Sequence, residues 1–342
     1  MPDRPQTVIE VNGLSRAFRT FRKAPGLLGA VRGLFRRQYD TLHAVREISF
    51  RIAEGELVGF LGPNGAGKTT TLKMLAGLLY PTSGEARVLG YVPWERKDGY
   101  RRRFALLLGH KNQLWWDLPA RESFELNARI YGISHERMER TVNEMTERLD
   151  VRHKLGTMVR ELSLGERMKL ELIAALLHEP RVLYLDEPTL GLDVVSQKAV
   201  RDFLRHYNAT RRVTILLTSH YMADIQELCR RVLIIDHGRL FFDGQLDEIL
   251  DRSADYKRVT LHTDPAVPQA DADLSLYGKV VEHSPTTVQL EVKRDRVIAV
   301  CKALLDRFTV LDIDIQEVPI EEVIRRLFTP APPAGPADPA GQ

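Results

Sequence analysis

Leu57-Val58-Gly59-Phe60-Leu61, continued by Gly62-Pro63-Asn64-Gly65-Ala66-Gly67-Lys68-Thr69-Thr70, is the stretch on which the fold turns. Its first five residues form a short apolar run of the kind buried on both faces of a parallel sheet. Glycines at 62, 65 and 67 follow, then Lys68 and Thr69, then a helical pattern over residues 72–79. A strand, a glycine-rich turn and a helix in that order match the Gly-x-x-x-x-Gly-Lys-Thr phosphate-binding loop. The glycines let the backbone from Gly62 through Pro63, Asn64 and Ala66 to Lys68 curl so that several of its N–H groups, Pro63 having none, point at a β-phosphate. Lys68 brings charge to the β/γ oxygens, and Thr69 offers a hydroxyl to Mg²⁺. A glycine-rich turn with a surface lysine is the plainer alternative.

Outward from this loop, apolar runs at residues 182–185, 213–218 and 232–235 read as further buried strands. Helical patterns over 170–177 and 196–207 lie between them, the alternation of an α/β architecture. Residues 114–162 are different. Phe124, Leu126 and Ile130, then Met138, Val142, Met145 and Leu149, recur at helical spacing without a strand pattern, so this segment reads as a helical insertion. After residue 250 strands are expected at 258–261, 287–292 and 310–315 and helices at 294–308 and 320–328, a small α+β module. The Pro/Ala/Gly-rich residues 329–342 cannot bury a core and are expected to be disordered. The expected division is therefore 1–252, 255–328 and a tail.

Composition sets bounds on the rest. With 342 residues, 44% hydrophobic and 28% charged, the chain suits about two soluble globular domains. Its longest apolar runs fall far short of the ~20 residues of a membrane-crossing helix. The opening Met1-Pro2-Asp3-Arg4 lacks a basic start with an apolar core, so a cytosolic chain is expected. Cys229 and Cys301 stand far apart without metal-ligand spacing and read as small core residues. A net charge of +3 is too mild to imply nucleic acid. Between Val11 and Tyr39, however, there are seven Lys and Arg residues and no acid.

Val182-Leu183-Tyr184-Leu185-Asp186-Glu187 is an apolar strand ending in two carboxylates. Following a phosphate-binding loop, Asp186 is suited to hold Mg²⁺ through water and Glu187 to orient or deprotonate an attacking water. Phosphoryl transfer needs an in-line nucleophile and little else from the protein. Two acids that merely end a strand remain the alternative.

Leu162-Ser163-Leu164-Gly165-Glu166, just before this strand, resembles the signature segment of ABC ATPases, which reads Leu-Ser-Gly-Gly-Gln. The chain departs from it at Leu164 and Glu166. Ser163 and Gly165 remain at a helix start whose N–H groups suit a γ-phosphate, while a simple serine cap gives the same residues. Other positions are similar to the family in order and spacing. Gln113 resembles the Q-loop glutamine that reaches the nucleotide's Mg²⁺, Leu190-Gly191-Leu192-Asp193 the D-loop, His220 the switch histidine at the γ-phosphate, and Phe18 the aromatic stacked on adenine.

The resemblance covers about residues 7–250 and implies a fold class: α/β, a P-loop NTPase of ABC ATPase type with a helical subdomain, plus the small α+β C-terminal module. It implies ATP hydrolysis with Mg²⁺, with Lys68, Glu187 and His220 catalytic and Thr69, Gln113 and Asp186 at the metal. Ser163, Gly165, Glu166 and Asp193 would serve the nucleotide of an opposing subunit, in a homodimer or a heterodimer. It also implies a separate polytopic membrane permease, hence a place on the cytoplasmic face of the plasma membrane, and no nucleic acid as partner.

An insertion between Phe18 and Val45 carries Leu27, Leu28, Val31, Leu34 and Phe35 at helical spacing among arginines. It fits an amphipathic helix at a membrane or permease, or one packed on its own domain. With Trp115-Trp116 and the divergent signature, it resembles an export-type bacterial subgroup associated with multidrug or viologen-like cations. A soluble ABC protein acting on ribosomes or DNA would have tandem cassettes, long coiled coils or zinc spacing. A non-hydrolysing regulator would lack Lys68, Asp186, Glu187 or His220.

Overall fold

The computed structural model describes residues 6–21, 39–109, 113–219, 221–249, 255–263 and 273–318. The expected helix around Leu27–Phe35, the helix at 320–328, the tail and His220 lie outside these residues. Contacts divide the chain into Met1–Gly244 and Gln245–Gln342.

In the first unit the chain begins with two long strands, β1 (Thr7–Phe21) and β2 (Tyr39–Ala53), and continues into β3 (Leu57–Leu61) and helix α1 (Lys68–Leu75). Then come β4 (Ser83–Val88), the single turn α2 (Asp98–Arg101) and β5 (Phe104–Leu108). Helices α3 (Ala120–Tyr131), α4 (His135–Arg148) and α5 (Leu164–Leu176) follow. The unit closes with β6 (Val182–Asp186), α6 (Val194–Arg211), β7 (Thr214–Thr218), α7 (Met222–Leu228), β8 (Arg231–Asp236) and β9 (Arg239–Gln245).

One sheet has the order β5-β6-β7-β3-β8-β9. Its pairs β5/β6, β6/β7, β7/β3 and β3/β8 are parallel, so their carboxyl ends share one edge. These strands are continuous apolar runs because helices cover them; Val182, Leu183, Tyr184 and Leu185 are all fully buried. A second, antiparallel sheet, β2-β1-β4, packs its Ile9, Leu14, Ile48 and Ile52 into a core shared with α1 and with Phe60, Tyr184 and Ile235 of the larger sheet.

Helix α1 begins and ends earlier than the pattern over 72–79 suggests. Gly77 takes φ 71°, outside helical space, and a Cβ there would lie 2.3 Å from the Pro93 carbonyl oxygen. Residues 114–162 hold α3, α4 and short 3₁₀ turns, with Phe124, Met138, Val142 and Met145 buried. No strand lies in that segment, only an isolated bridge between Pro119 and Met158.

The second unit contains β10 (Tyr256–Thr263), β11 (Lys279–His283), β12 (Thr287–Lys293), α8 (Val297–Leu305) and β13 (Val310–Glu317). They form an antiparallel sheet of order β11-β12-β10-β13. Val259, Leu261, Val288 and Leu290 alternate to one face and make a core with Val300, Cys301 and Leu304 of α8. Edge strand β11 is exposed along its whole length, with too few buried residues to stand out from a loop in sequence.

Candidate functional site

Four loops leave the sheet at the shared carboxyl edge of β3, β5, β6 and β7, the place where α/β sheets gather ligand-binding groups. After β3, Gly62 at φ 151° and Gly67 at φ 111° admit a close backbone approach that no side chain allows. A Cβ on Gly62 would sit 2.1 Å from the Ile235 carbonyl oxygen, and one on Gly67 would sit 2.4 Å from that of Ala44. Pro63, Asn64 and Gly65 are exposed at the tip, Ala66, Gly67 and Lys68 are buried, and Thr69 and Thr70 are half-buried. The Lys68 ammonium folds back along the loop and donates to the carbonyls of Gly62 at 2.5 Å and Pro63 at 3.1 Å. Burial lowers its pKa, and the carboxylates of Glu187 and Asp186 oppose that shift.

Asp186, at the end of β6, receives hydroxyl hydrogen bonds on both oxygens. Thr69 donates to Oδ2 at 2.8 Å and Thr218, at the end of β7, donates to Oδ1 at 2.8 Å. Glu187 has φ 57°, a left-handed conformation uncommon for a residue with a side chain. Its N–H, donated to both the hydroxyl and the carbonyl of Thr218 at 3.1 Å, holds that turn. Gly109, at the start of the loop after β5, donates its N–H to the Asp186 carbonyl at 2.9 Å. Gln113 returns on that same loop to donate its side-chain amide to the carbonyl of Leu106 in β5.

Phe18 reaches this region through β2. It pairs with Leu42 in the β1/β2 register, two residues from Ala44, whose carbonyl lies against Gly67. The Arg16 guanidinium lies 4.6 Å from the centroid of its ring.

Ser163, Gly165 and Glu166 sit elsewhere, at the start of α5. Ser163 is the cap of that helix: its hydroxyl accepts from the Glu166 N–H while the Glu166 carboxylate accepts from the Ser163 N–H, a reciprocal capping box. Gly165 packs on the start of α6, where a Cβ would lie 2.4 Å from the Ser196 hydroxyl. Asp193 caps α6 by accepting from the Ser196 N–H at 2.9 Å. No hydrogen bond described among these residues joins this cluster to the phosphate-binding loop of the same chain.

Two site residues escaped the reading of the sequence. Thr218 bridges Asp186 and Glu187, and its only signal is a hydroxyl at the end of an otherwise apolar strand. Asp224 is buried at 1% exposure and gathers the nearby Ser219 together with Thr189 and Arg201, which are distant in sequence.

The geometry fits a nucleotide-binding cassette, and comparisons with known proteins agree. A family profile described as ABC transporter matches residues 45–190, and one described as EvrA-like ABC transporter, C-terminal domain, matches residues 255–316. The chain is 34% identical over 217 residues to the ABC transporter ATP-binding protein NatA of Bacillus subtilis (strain 168), covering 64% of this chain and 88% of that protein. It is 32% identical over 298 residues to the daunorubicin resistance ATP-binding protein DrrA3 of Streptomyces coeruleorubidus, covering 85% and 93%. A solved ATP binding subunit of an ABC transporter superposes with a TM-score of 0.59 at 28% identity, over 72% of this chain and 92% of that one. A dimeric ATP-binding cassette bound to ADP and Pi shares the fold, with a TM-score of 0.58 at 20% identity, over 70% and 98%. With the loop, the paired threonines on Asp186 and these relatives in agreement, the chain belongs to the ATP-binding subunits of ABC transporters.

Proposed function

We propose that two copies of this subunit, or one copy and a related ATPase, close on ATP and hydrolyse it to drive a separate polytopic permease from the cytoplasmic face of the membrane. The observation that carries this reading is the joining of Thr69, Asp186 and Thr218 beside Lys68 and Glu187, since it gathers a metal-binding pair, a cation and an acid at one sheet edge.

Lys68 exchanges its loop carbonyls for β/γ-phosphate oxygens, and Phe18 stacks on the adenine. A hydroxyl and a carboxylate 2.8 Å apart are a donor set suited to Mg²⁺, so Thr69 and Asp186 would hold it, and Gln113 would have to leave the Leu106 carbonyl to join them. The ion would neutralise phosphate charge. Glu187, fixed by its backbone bonds to Thr218, orients or deprotonates the attacking water, and His220 contacts the γ-phosphate. Ser163, Gly165 and Asp193 face the nucleotide of the opposing subunit, in keeping with their separation from the loop of their own chain.

A groove of about 690 Å³ runs between the sheet core and the helical segment, lined by Leu78, Arg96, Arg101, Phe104, Gln113 and Tyr131. Trp115 and Trp116, 40% and 44% exposed, follow Gln113 and offer the permease an aromatic face linked to the site. Among the described residues no helix is long and apolar enough to cross a membrane, in keeping with a partner that supplies the crossing. Export as the direction is supported by relatives named Nod factor export ATP-binding protein I.

The test is nucleotide binding and phosphate release by Lys68→Ala and Glu187→Gln, with co-purification from native membranes. Lys68→Ala weakens ATP binding. Glu187→Gln binds ATP, stops turnover and accumulates a closed dimer together with polytopic membrane proteins. Undiminished hydrolysis by Glu187→Gln removes Glu187 from its role, and recovery of ribosomal proteins or nucleic acid in place of a permease overturns the transport reading.

A further inference from the structure

Glu166 places an acid in the first turn of α5, where the family pattern has an amide. A bare carboxylate there would repel the phosphate that the helix start is suited to receive. Both of its oxygens are engaged. Oε1 lies 3.0 Å from the Lys154 ammonium. Oε2 accepts from the N–H and the hydroxyl of Ser163, each at 2.9 Å. The Lys154 ammonium, then the Ser163 amide, hold the Glu166 carboxyl down to about 2, so it carries full charge at neutral pH.

Lys154 comes from outside the helix. It ends a 3₁₀ turn, Arg152–Lys154, at the far end of the helical segment, and its backbone is fixed by bonds from its N–H to Val151 at 3.0 Å and from the Thr157 N–H to its carbonyl at 3.1 Å. The two side chains are 31% and 25% exposed, which leaves the pair only partly screened by solvent.

We propose that Lys154 is a positioning residue for nucleotide capture: by pairing with Glu166 it neutralises the acid beside Ser163 and lets an opposing subunit's γ-phosphate approach this helix start. The inference rests on the reading of Ser163 as a nucleotide-facing group and adds what that reading lacks, the reason an acid is tolerated there. It also accounts for the serine hydroxyl, which donates to Glu166 in the free chain. Once Lys154 draws the carboxylate's charge, Ser163 can redirect that proton to a phosphate oxygen. The capping box alone would stabilise the helix with no need of Lys154.

The experiment uses the full chain carrying Glu187→Gln and measures, by light scattering, the ATP concentration that gives half-maximal dimer. Binding of a fluorescent ADP analogue to the monomer is measured in parallel. Lys154→Met raises the ATP concentration for dimerisation by roughly tenfold, the scale of one unpaired charge a few ångströms from a phosphate in a partly screened site. It leaves ADP affinity within about twofold, since Lys154 touches no element of the loop that binds it. In the Glu166→Gln background the same Lys154→Met step changes dimerisation by less than about twofold, because no acid remains to be neutralised. A merely structural lysine would weaken both backgrounds equally, and that result, or a harmless Lys154→Met beside intact Glu166, overturns the proposal. Ser163→Ala separates the two levels. If it leaves dimerisation at the parental value, the nucleotide-facing reading of Ser163 fails and the proposal falls with it. If Ser163→Ala is impaired while Lys154→Met is not, only the proposal fails.

Discussion

Ser219 donates its hydroxyl to the carboxylate of Asp224 at 2.6 Å, in a pocket where Asp224 is 1% exposed. The same carboxylate takes the hydroxyl of Thr189, which follows the β6 carboxylates, and the guanidinium of Arg201 at 3.0 Å. One buried acid thus ties the turns after β6 and β7 to the side of α6. Asp224→Ala leaves Arg201, 7% exposed, without its buried partner. Breaking such a pair costs about 3 kcal/mol, so the melting temperature should fall by several degrees, and turnover should fall with it because Ser219 precedes His220. Calorimetry and phosphate release on the same preparation check this; an unchanged melting temperature refutes it.

Thr218 is the second such joint. Thr218→Val keeps its shape but removes the donor to Asp186 Oδ1 and the hydroxyl acceptor of the Glu187 N–H. A hydrogen bond to a charged group and support for a left-handed residue are lost together, so kcat should drop by roughly tenfold or more. Monomer affinity for nucleotide should stay within a few-fold, because Lys68 and the loop are untouched. Steady-state kinetics beside equilibrium nucleotide binding distinguish the two.

The glycines of the loop should not respond alike. Gly65→Ala places its Cβ in open space at φ 80° and meets only backbone strain, about 1 kcal/mol. Gly62→Ala drives a Cβ to 2.1 Å from the Ile235 carbonyl oxygen, which forces the loop to move. Gly62→Ala should abolish measurable ATP binding, while Gly65→Ala keeps it within about tenfold, in line with its smaller strain.

Glu171, on α5 and 3% exposed, gives a pH dependence. Burial pushes its carboxyl up to about 7, against the opposing pull of Arg167 and of the Gln113 N–H. A folded pKa raised above the unfolded 4.5 means that ionisation favours unfolding. Its destabilising effect is absent below about pH 4.5, grows between there and 7, and is complete above, where it reaches roughly 3 kcal/mol. Glu171→Gln should therefore melt higher than the parent at about pH 8, and the difference should vanish near pH 4.5. Melting curves of both chains across that range test it; a difference independent of pH would show that packing, not charge, governs the site.

The larger sheet was legible where its strands are buried on both faces. The runs at 57–61, 182–185, 213–218 and 232–235 coincide with β3, β6, β7 and β8 to within a residue. Long strands β1 and β2 were not read, because register shifts at Gly13 and Arg16 break their alternation and many of their side chains are half-exposed. The buried run of β5, Phe104–Leu108, was too short beside the following helical pattern to be told from it. In the candidate site, Lys68, Thr69 and Asp186 were singled out because strand-loop-helix chemistry places them locally, and the structure joins Thr69 to Asp186. Ser163 was read with two meanings, and its capping box with Glu166 shows that the helix-cap meaning holds locally.

Residue order alone therefore located the glycine-rich loop between β3 and α1 and the acids ending β6. Each depends on short-range rules: backbone freedom at glycine, alternation of apolar residues, and the turn between a strand and its next helix. Only the tertiary structure settled which distant polar groups satisfy one another. Thr218 on Asp186 and Asp224 on Thr189 and Arg201 are pairings between elements remote in sequence, and Lys154 on Glu166 joins two separate elements. They arise because a buried or half-buried charge must find a partner wherever the chain brings one, and no local pattern records where that is.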